Sequence, residues 1–141
     1  RSVEHELAAL VVDGGSRRDL TRAVDLGPVV ATHGDFHEGQ LTVRRDAGGW
    51  AVAALLDVDT VGPGHRVDDL ACLVAHAVAL GPPGQPAAQR WEREAGALVD
   101  PAALAVRSAG VLLSLAAGAV HHPGPAADAL VRAAQERLDR A

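Results

Sequence analysis

The chain has 141 residues and a formal net charge of −5, and its 13 basic residues are all arginine because the sequence contains no lysine. At this length we expect a single domain that buries roughly two-thirds of the unfolded chain's surface. The acidic balance and an aromatic content of 2% argue against a nucleic-acid partner. Such a partner needs basic side chains for its phosphates and aromatic rings for its bases.

The single cysteine and the hydropathy pattern indicate a cytoplasmic protein. Cys72 cannot form a disulfide within the chain, and its apolar neighbours predict a reduced, buried thiol. No apolar stretch reaches the roughly 18 residues that span a bilayer. The most hydrophobic run, residues 109–120, contains glycine and serine and predicts a core helix, so we expect no membrane partner.

The first part of the chain favours two short helices. Apolar residues recur at helical spacing over residues 3–12, and the Asp-Gly-Gly that follows ends the pattern. A second helix is predicted over residues 16–24. The chain starts inside a helical pattern without an initiator methionine, so we expect it to be a piece of a longer protein.

Short β-branched runs then predict strands. Residues 28–33 are typical of a buried strand, and residues 41–45 and 50–56 predict two more, the last also buried. The Asp-Ala-Gly-Gly between these two is typical of a hairpin turn. Residues 57–66 are polar and rich in glycine, which predicts a loop.

From residue 67 onward the sequence predicts helices alone, at 67–80, 87–98, 101–120 and 126–140. Glycine and proline separate them, and Asp100 followed by Pro101 is typical of a helix start. Four apolar residues of the last helix are expected to face the core: Leu130, Val131, Ala134 and Leu138. The fold class is therefore α+β and mainly helical, with a small β-hairpin insert that carries the polar loops.

Polar side chains crowd into two loops that each follow a predicted strand. Residues 33–40 are His-Gly-Asp-Phe-His-Glu-Gly-Gln, and the second loop begins at Asp57. Asp57 ends a run typical of a buried strand, where a carboxylate needs a partner or a metal because an isolated buried charge is unfavourable. The hairpin is expected to bring Gln40 and Asp57 to one edge, and their oxygens suit Mg²⁺.

These loops resemble a known family of enzymes. The chain contains His-Gly-Asp-x-His-x-x-Gln, then Leu-Leu-Asp-Val-Asp-Thr-Val-Gly-Pro-Gly, and then Asp-Asp-Leu-Ala. This order of motifs is similar to the C-terminal lobe of aminoglycoside phosphotransferase-type small-molecule kinases. Choline-kinase-like enzymes are related to these, and all resemble protein kinases in fold. The resemblance covers residues 28–80. It implies that Asp35 is the catalytic base and that Gln40 and Asp57 bind Mg²⁺, although asparagine is usual at the position of Gln40.

The other polar residues of this region are expected to support the reaction. His33 is expected to orient the catalytic loop through backbone hydrogen bonds. His37 either fixes the loop, faces phosphate or has no role, and Asp59 either contacts a second metal or a substrate amine, or bonds to the glycine loop after it. Asp69 either caps the following helix or bonds to the region of His33, while Asp68 is expected only to be solvated.

A kinase of this type needs a second lobe, whose loop covers the nucleotide phosphates and whose lysine pairs with them. This chain has no lysine and no glycine-rich strand-turn-strand segment before residue 28. We therefore expect residues 1–141 to be the catalytic and substrate-binding C-terminal lobe of a two-lobe kinase, inactive without its N-terminal partner lobe. The expected phosphate donor is ATP or GTP.

Two other classes stay open at this point. Asp35 and His37 also fit the Asp-x-His pair of binuclear metallophosphoesterases, but the further histidine motifs of those enzymes are not found. The other class is a non-catalytic pseudokinase or binding module. The small hydroxylated substrate is equally open between an aminoglycoside, a sugar and an amino alcohol, because residues 84–125 offer a polycation only three carboxylates.

Overall fold

The computed structural model describes residues 24–118 and 125–141. The two helices predicted at residues 3–12 and 16–24 lie outside the described residues, apart from Val24. The predicted break after residue 120 lies outside them as well.

Four short strands form two separate antiparallel pairs in the described chain: β1 (Val29–Thr32), β2 (Leu41–Asp46), β3 (Gly49–Leu55) and β4 (Gly62–His65). The three predicted strands are confirmed, and β2 with β3 forms the predicted hairpin. Strand β1 is not buried as predicted, since its one strand partner in the described structure is the short β4. Val29 is 63% exposed, and Thr32 is the one buried residue of the strand. The fourth strand, which pairs with β1, contradicts the prediction of a loop at this point. Its Gly-Pro-Gly sequence has no strand preference of its own, and a Cβ at Gly64 would collide with the Thr32 side chain.

The hairpin is exposed, which corrects the prediction that its second strand is buried. Trp50 is 72% exposed and Val52 is 60% exposed. The apolar clusters of the described core consist mainly of helix residues, and neither contains a hairpin residue. Asp57 is exposed too, so the argument that it is a buried carboxylate in need of a partner does not hold.

The four predicted helices are confirmed with their bounds shifted by one or two residues: α1 (Arg66–Ala79), α2 (Gln85–Gly96), α3 (Pro101–Gly118) and α4 (Pro125–Leu138). Asp100 starts α3 as predicted, because its carboxylate accepts a hydrogen bond from the Ala102 N–H at 3.0 Å. The described structure is thus mixed helix and sheet, with the helices in the majority.

Small side chains let the helices pack closely around α1. The larger cluster joins all four helices through Ala75, Ala88, Leu112 and Ala134. Val131 is 43% exposed, which corrects the prediction that it faces inward. Leu130 and Leu138 are four positions from Ala134 and lie nearer to its face of the helix than Val131, which is three positions away.

Helix α3 is apolar enough, by length and composition alone, to cross a membrane, and it is the one such helix among the described residues. This corrects the sequence-based statement that no apolar stretch is long enough. About a third of the helix is buried in the protein, and Leu104 and Leu112 lie in the core. Core helices of soluble proteins pass the same test.

Candidate active site

The two polar loops meet beside the N-terminal half of α1. The first follows β1 and ends in a short 3-10 turn, Glu38–Gln40, and the second follows β3 and contains another, Val58–Thr60. The hairpin folds the chain back on itself, so the Leu56 N–H donates to the Gln40 carbonyl at 2.8 Å. Polar residues that are distant along the chain therefore share one edge of the molecule.

Asp35, Gln40 and Asp57 converge at this edge. The Gln40 Nε2 atom lies 3.5 Å from Asp35 Oδ2 and 3.5 Å from Asp57 Oδ2. The Asp35 side chain is 52% exposed, so the cluster is open to solvent. Rotating the Gln40 amide by half a turn would present its oxygen beside the two carboxylates. An oxygen set of this kind fits a hard cation such as Mg²⁺.

The backbone of Asp57 is held in an unusual conformation. Its φ and ψ are 51° and 53°, in the left-handed region, and among the described residues it is the one non-glycine residue with positive φ. Aspartate tolerates this region better than most residues, but such conformations persist only where their surroundings fix them. Backbone strain thus accompanies the placement of the Asp57 carboxylate next to Gln40.

His33 connects the two loops through hydrogen bonds to their backbone and to Thr60. The ring is buried, and its Nε2 donates to the Leu56 carbonyl at 2.8 Å. Its Nδ1 accepts from the Asp35 N–H at 3.3 Å, while its own carbonyl accepts from the Thr60 hydroxyl at 2.6 Å. Both ring nitrogens are used in these bonds, which leaves no free position for proton exchange with a substrate.

Asp69 anchors the first loop to α1. Its Oδ2 accepts from the His33 N–H at 2.8 Å and its Oδ1 accepts from the Gly34 N–H at 2.9 Å. Of the two alternatives left open for Asp69, the structure shows the bond to the His33 region. Asp68 is not merely solvated as expected, because it forms an ion pair with Arg107 of α3 at 3.2 Å.

His37 makes contacts that fix the loop, whereas Asp59 does not join the cluster by any contact in the described structure. The His37 Nδ1 accepts from the Gly39 N–H at 3.1 Å, and its Nε2 lies 3.8 Å from Asp35 Oδ2. Its ring stacks on the ring of His76, with centroids 4.2 Å apart. Asp59 is exposed in the second 3-10 turn.

Sequence reasoning missed two residues of α1 that touch this loop. The Cys72 thiol donates to Asp35 Oδ1 with a separation of 3.8 Å, and His76 stacks on His37. Burial, and then the nearby Asp35 carboxylate, raise the pKa of the Cys72 thiol from 9.0 to about 12. Burial, and then His37, lower the pKa of His76. Their spacing of four residues, which puts both on one helix face, is the feature of the sequence that relates them.

Comparison with known protein families identifies the family to which this chain belongs. Residues 3–108 match the phosphotransferase enzyme family, APH. The match covers well over half of the chain and extends beyond residues 28–80, so the chain belongs to this family and the resemblance is confirmed. Membership implies a protein-kinase-like fold and a phosphotransferase, kinase-like enzyme. Searches among curated proteins and among solved structures found no match.

Proposed function

We propose that this chain carries the catalytic site of a kinase that moves the terminal phosphate of ATP or GTP to a hydroxyl group of a small molecule. The observation that carries the proposal is the convergence of Asp35 and Asp57 on Gln40, each at 3.5 Å. In this proposal Asp35 is the base, and Gln40 and Asp57 are the Mg²⁺ ligands. The family match supports phosphotransfer as the reaction class.

The chain's own residues supply positioning and a proton acceptor. The Asp35 side chain is 52% exposed, so a substrate hydroxyl that approaches the carboxylate can transfer its proton to it as the hydroxyl oxygen attacks phosphorus. His33 and Asp69 hold the backbone on either side of Gly34, which fixes where Asp35 stands. The metal, when bound, neutralises charge on the phosphate oxygens.

We also propose that a separate lobe grips the nucleotide, as the sequence leads us to expect. Two observations support it: the chain has no lysine to pair with phosphates, and the hairpin exposes Val43, Trp50, Val52 and Leu55. A mainly apolar cavity of about 400 Å³, lined in part by Phe36, Leu55 and Val61, opens next to it. Apolar surface of this extent is typical of a face that packs against another body.

One observation favours the metallophosphoesterase alternative. In the described chain, Asp35, Cys72 and His76 form a group of potential ligands, as do His37, Glu38 and His76, with the ligand atoms of each group within 4.8 Å of one another. A phosphoesterase would purify with tightly held transition metal, whereas a kinase site binds Mg²⁺ weakly without nucleotide. Metal analysis of the purified protein separates the two, and the family match favours the kinase.

The test of the proposed function compares three substitutions in the complete enzyme, assayed for nucleotide consumption with a panel of hydroxylated acceptors. Asp57→Ala should weaken Mg²⁺-nucleotide binding and turnover together, since it removes a metal ligand. Asp35→Ala should leave nucleotide affinity nearly unchanged while kcat falls by about 10²–10⁴, the size of a general-base contribution. Gln40→Asn should be mildest, because it keeps an amide oxygen.

Asp46→Ala is the matched control, since it removes an exposed carboxylate from the far end of the hairpin and should change neither quantity. The 141-residue chain alone should not transfer phosphate. Full activity in Asp35→Ala, or equal loss of nucleotide affinity in Asp35→Ala and Asp57→Ala, would show that the base is assigned wrongly.

A further inference from the structure

Helix α1 places two side chains, one turn apart, against the catalytic loop. Cys72 touches Asp35 and His76 touches His37. Neither belongs to the motifs on which the proposed function rests. Each is bonded to, or stacked on, a loop residue from more than 30 positions away along the chain, so the tertiary fold creates both contacts.

The two oxygens of the Asp35 carboxylate face different surroundings. Oδ1 lies 3.8 Å from the Cys72 sulfur, on the side of the helix. Oδ2 lies 3.5 Å from Gln40 Nε2 and 3.8 Å from His37 Nε2, beside residues of its own loop. The terminal torsion of an aspartate is broad and roughly two-fold, so contacts on both sides of the carboxylate restrict the orientation of its plane.

The Cys72 thiol is suited to that contact because it stays protonated. Its side chain is buried, with 9% of the residue exposed. Burial and the adjacent carboxylate raise its pKa to about 12, so at the pH values at which enzymes work the sulfur carries its hydrogen. An ionised aspartate can accept hydrogen bonds but cannot donate them. The Cys72 S–H is therefore the donor and Asp35 Oδ1 the acceptor.

His76 supports the neighbour of Asp35 in a similar way. The His37 Nδ1 accepts from the Gly39 N–H, so the Nε2 of a neutral His37 carries the hydrogen and faces Asp35 Oδ2. The His76 ring lies parallel to the His37 ring, at an interplanar angle of 10°. Burial lowers the pKa of His76, which favours the uncharged ring that can stack without repulsion.

We propose that Cys72 is a positioning residue for phosphotransfer, acting through its S–H bond to Asp35 Oδ1, and that His76 assists by holding His37. This inference rests on the proposed function, in which Asp35 is the base. It assigns to α1 an indirect part in catalysis: the helix fixes the orientation of the carboxylate that meets the substrate hydroxyl.

The kinetic test uses variants of the complete enzyme. Cys72→Ala removes a weak donor and should lower kcat by about two- to tenfold, the range expected for one hydrogen bond, with KM for nucleotide unchanged within about twofold. Cys72→Ser keeps a donor and should restore most of the lost kcat. His76→Phe keeps a ring for stacking and should be milder than His76→Ala. Thermal unfolding of each variant checks that it is folded.

A spectroscopic test does not depend on activity. In the complete enzyme, the part of the infrared S–H stretching band that is lost in Cys72→Ala belongs to this thiol alone. We expect a band shifted by hydrogen bonding in the wild-type protein, and a return to the value of a free thiol in Asp35→Ala. A band that is the same in both proteins overturns the inference.

The failures can be told apart. If the wild-type enzyme consumes no nucleotide with any acceptor, the proposed function falls and this inference falls with it. If the wild type is active but Cys72→Ala keeps its kcat, or Cys72→Ser loses as much as Cys72→Ala, only the positioning role is overturned.

Discussion

Asp69 fixes the backbone of the first polar loop, residues 33–40, through two hydrogen bonds. Its carboxylate accepts from two consecutive backbone N–H groups, those of His33 and Gly34, at 2.8 and 2.9 Å. Gly34 has a φ of 87°, and a Cβ there would lie 3.1 Å from the Thr60 carbonyl oxygen. Only glycine fits this position comfortably, and the charged acceptor in front of it keeps both amides bonded.

Asp69→Ala should therefore destabilise the protein while its neighbour does not. We expect a loss of about 2 kcal/mol in the free energy of unfolding, because two N–H groups lose an ionised acceptor. Asp68→Ala removes a half-exposed ion pair with Arg107 and should cost about 0–1 kcal/mol. Denaturant unfolding of both variants measures the difference, and equal losses would contradict the anchoring role of Asp69.

At the scale of elements, α2 and α4 are joined by a partly buried ion pair. The Arg137 side chain is 6% exposed, and its Nη2 lies 3.3 Å from Glu92 Oε2. Its Nη1 donates to the Ala133 carbonyl at 3.0 Å. Burial lowers the pKa of Arg137, and the Glu92 charge opposes that effect. Without Glu92, the buried Arg137 guanidinium would lose this carboxylate partner and keep its bond to the Ala133 carbonyl.

Glu92→Ala should consequently destabilise the packing of α4 on α2. We expect a loss of about 2 kcal/mol, below the 3–5 kcal/mol typical of fully buried pairs because Glu92 is partly exposed. Glu94→Ala is the control, since its pair with Arg90 is exposed on both sides, and it should cost much less than Glu92→Ala because solvent screens an exposed pair. Thermal unfolding compares the two variants, and similar melting temperatures would count against a buried pair.

At the largest scale, the helices of the described structure form the packed core, and the hairpin lies outside it. Leu112 of α3 is fully buried and lies in the cluster that joins all four helices. The apolar side chains of the hairpin stay exposed in the described structure. Stability is therefore concentrated in the helices, while the hairpin presents the loops of the candidate site.

Leu112→Ala should lower the free energy of unfolding by about 3 kcal/mol, because it leaves a cavity in a closely packed core. Leu98→Ala, at a residue that is 60% exposed, should change it by less than about 0.5 kcal/mol. Denaturant unfolding measures both. A small effect of Leu112→Ala would indicate that the helices do not share a cooperative core.

The sequence by itself determined the helices, the hairpin and the family of this protein. Helical periodicity and its interruption by glycine and proline are local properties, which is why α1 to α4 were found within two residues of their bounds. The motif at residues 33–40 is also a continuous run of sequence, and so is the short segment after β3 that carries the aspartates. Asp35, Gln40 and Asp57 could be named from them, although their roles stay predictions.

Only the tertiary structure decided which distant residues meet. The pairing of β4 with β1, the exposure of the hairpin and the left-handed backbone of Asp57 depend on neighbours that no local pattern specifies. Cys72 and Asp35 are 37 positions apart, and nothing near either residue in the sequence indicates their contact. Such contacts arise because helix packing sets the position of α1 against the loop, and packing is a property of the assembled core.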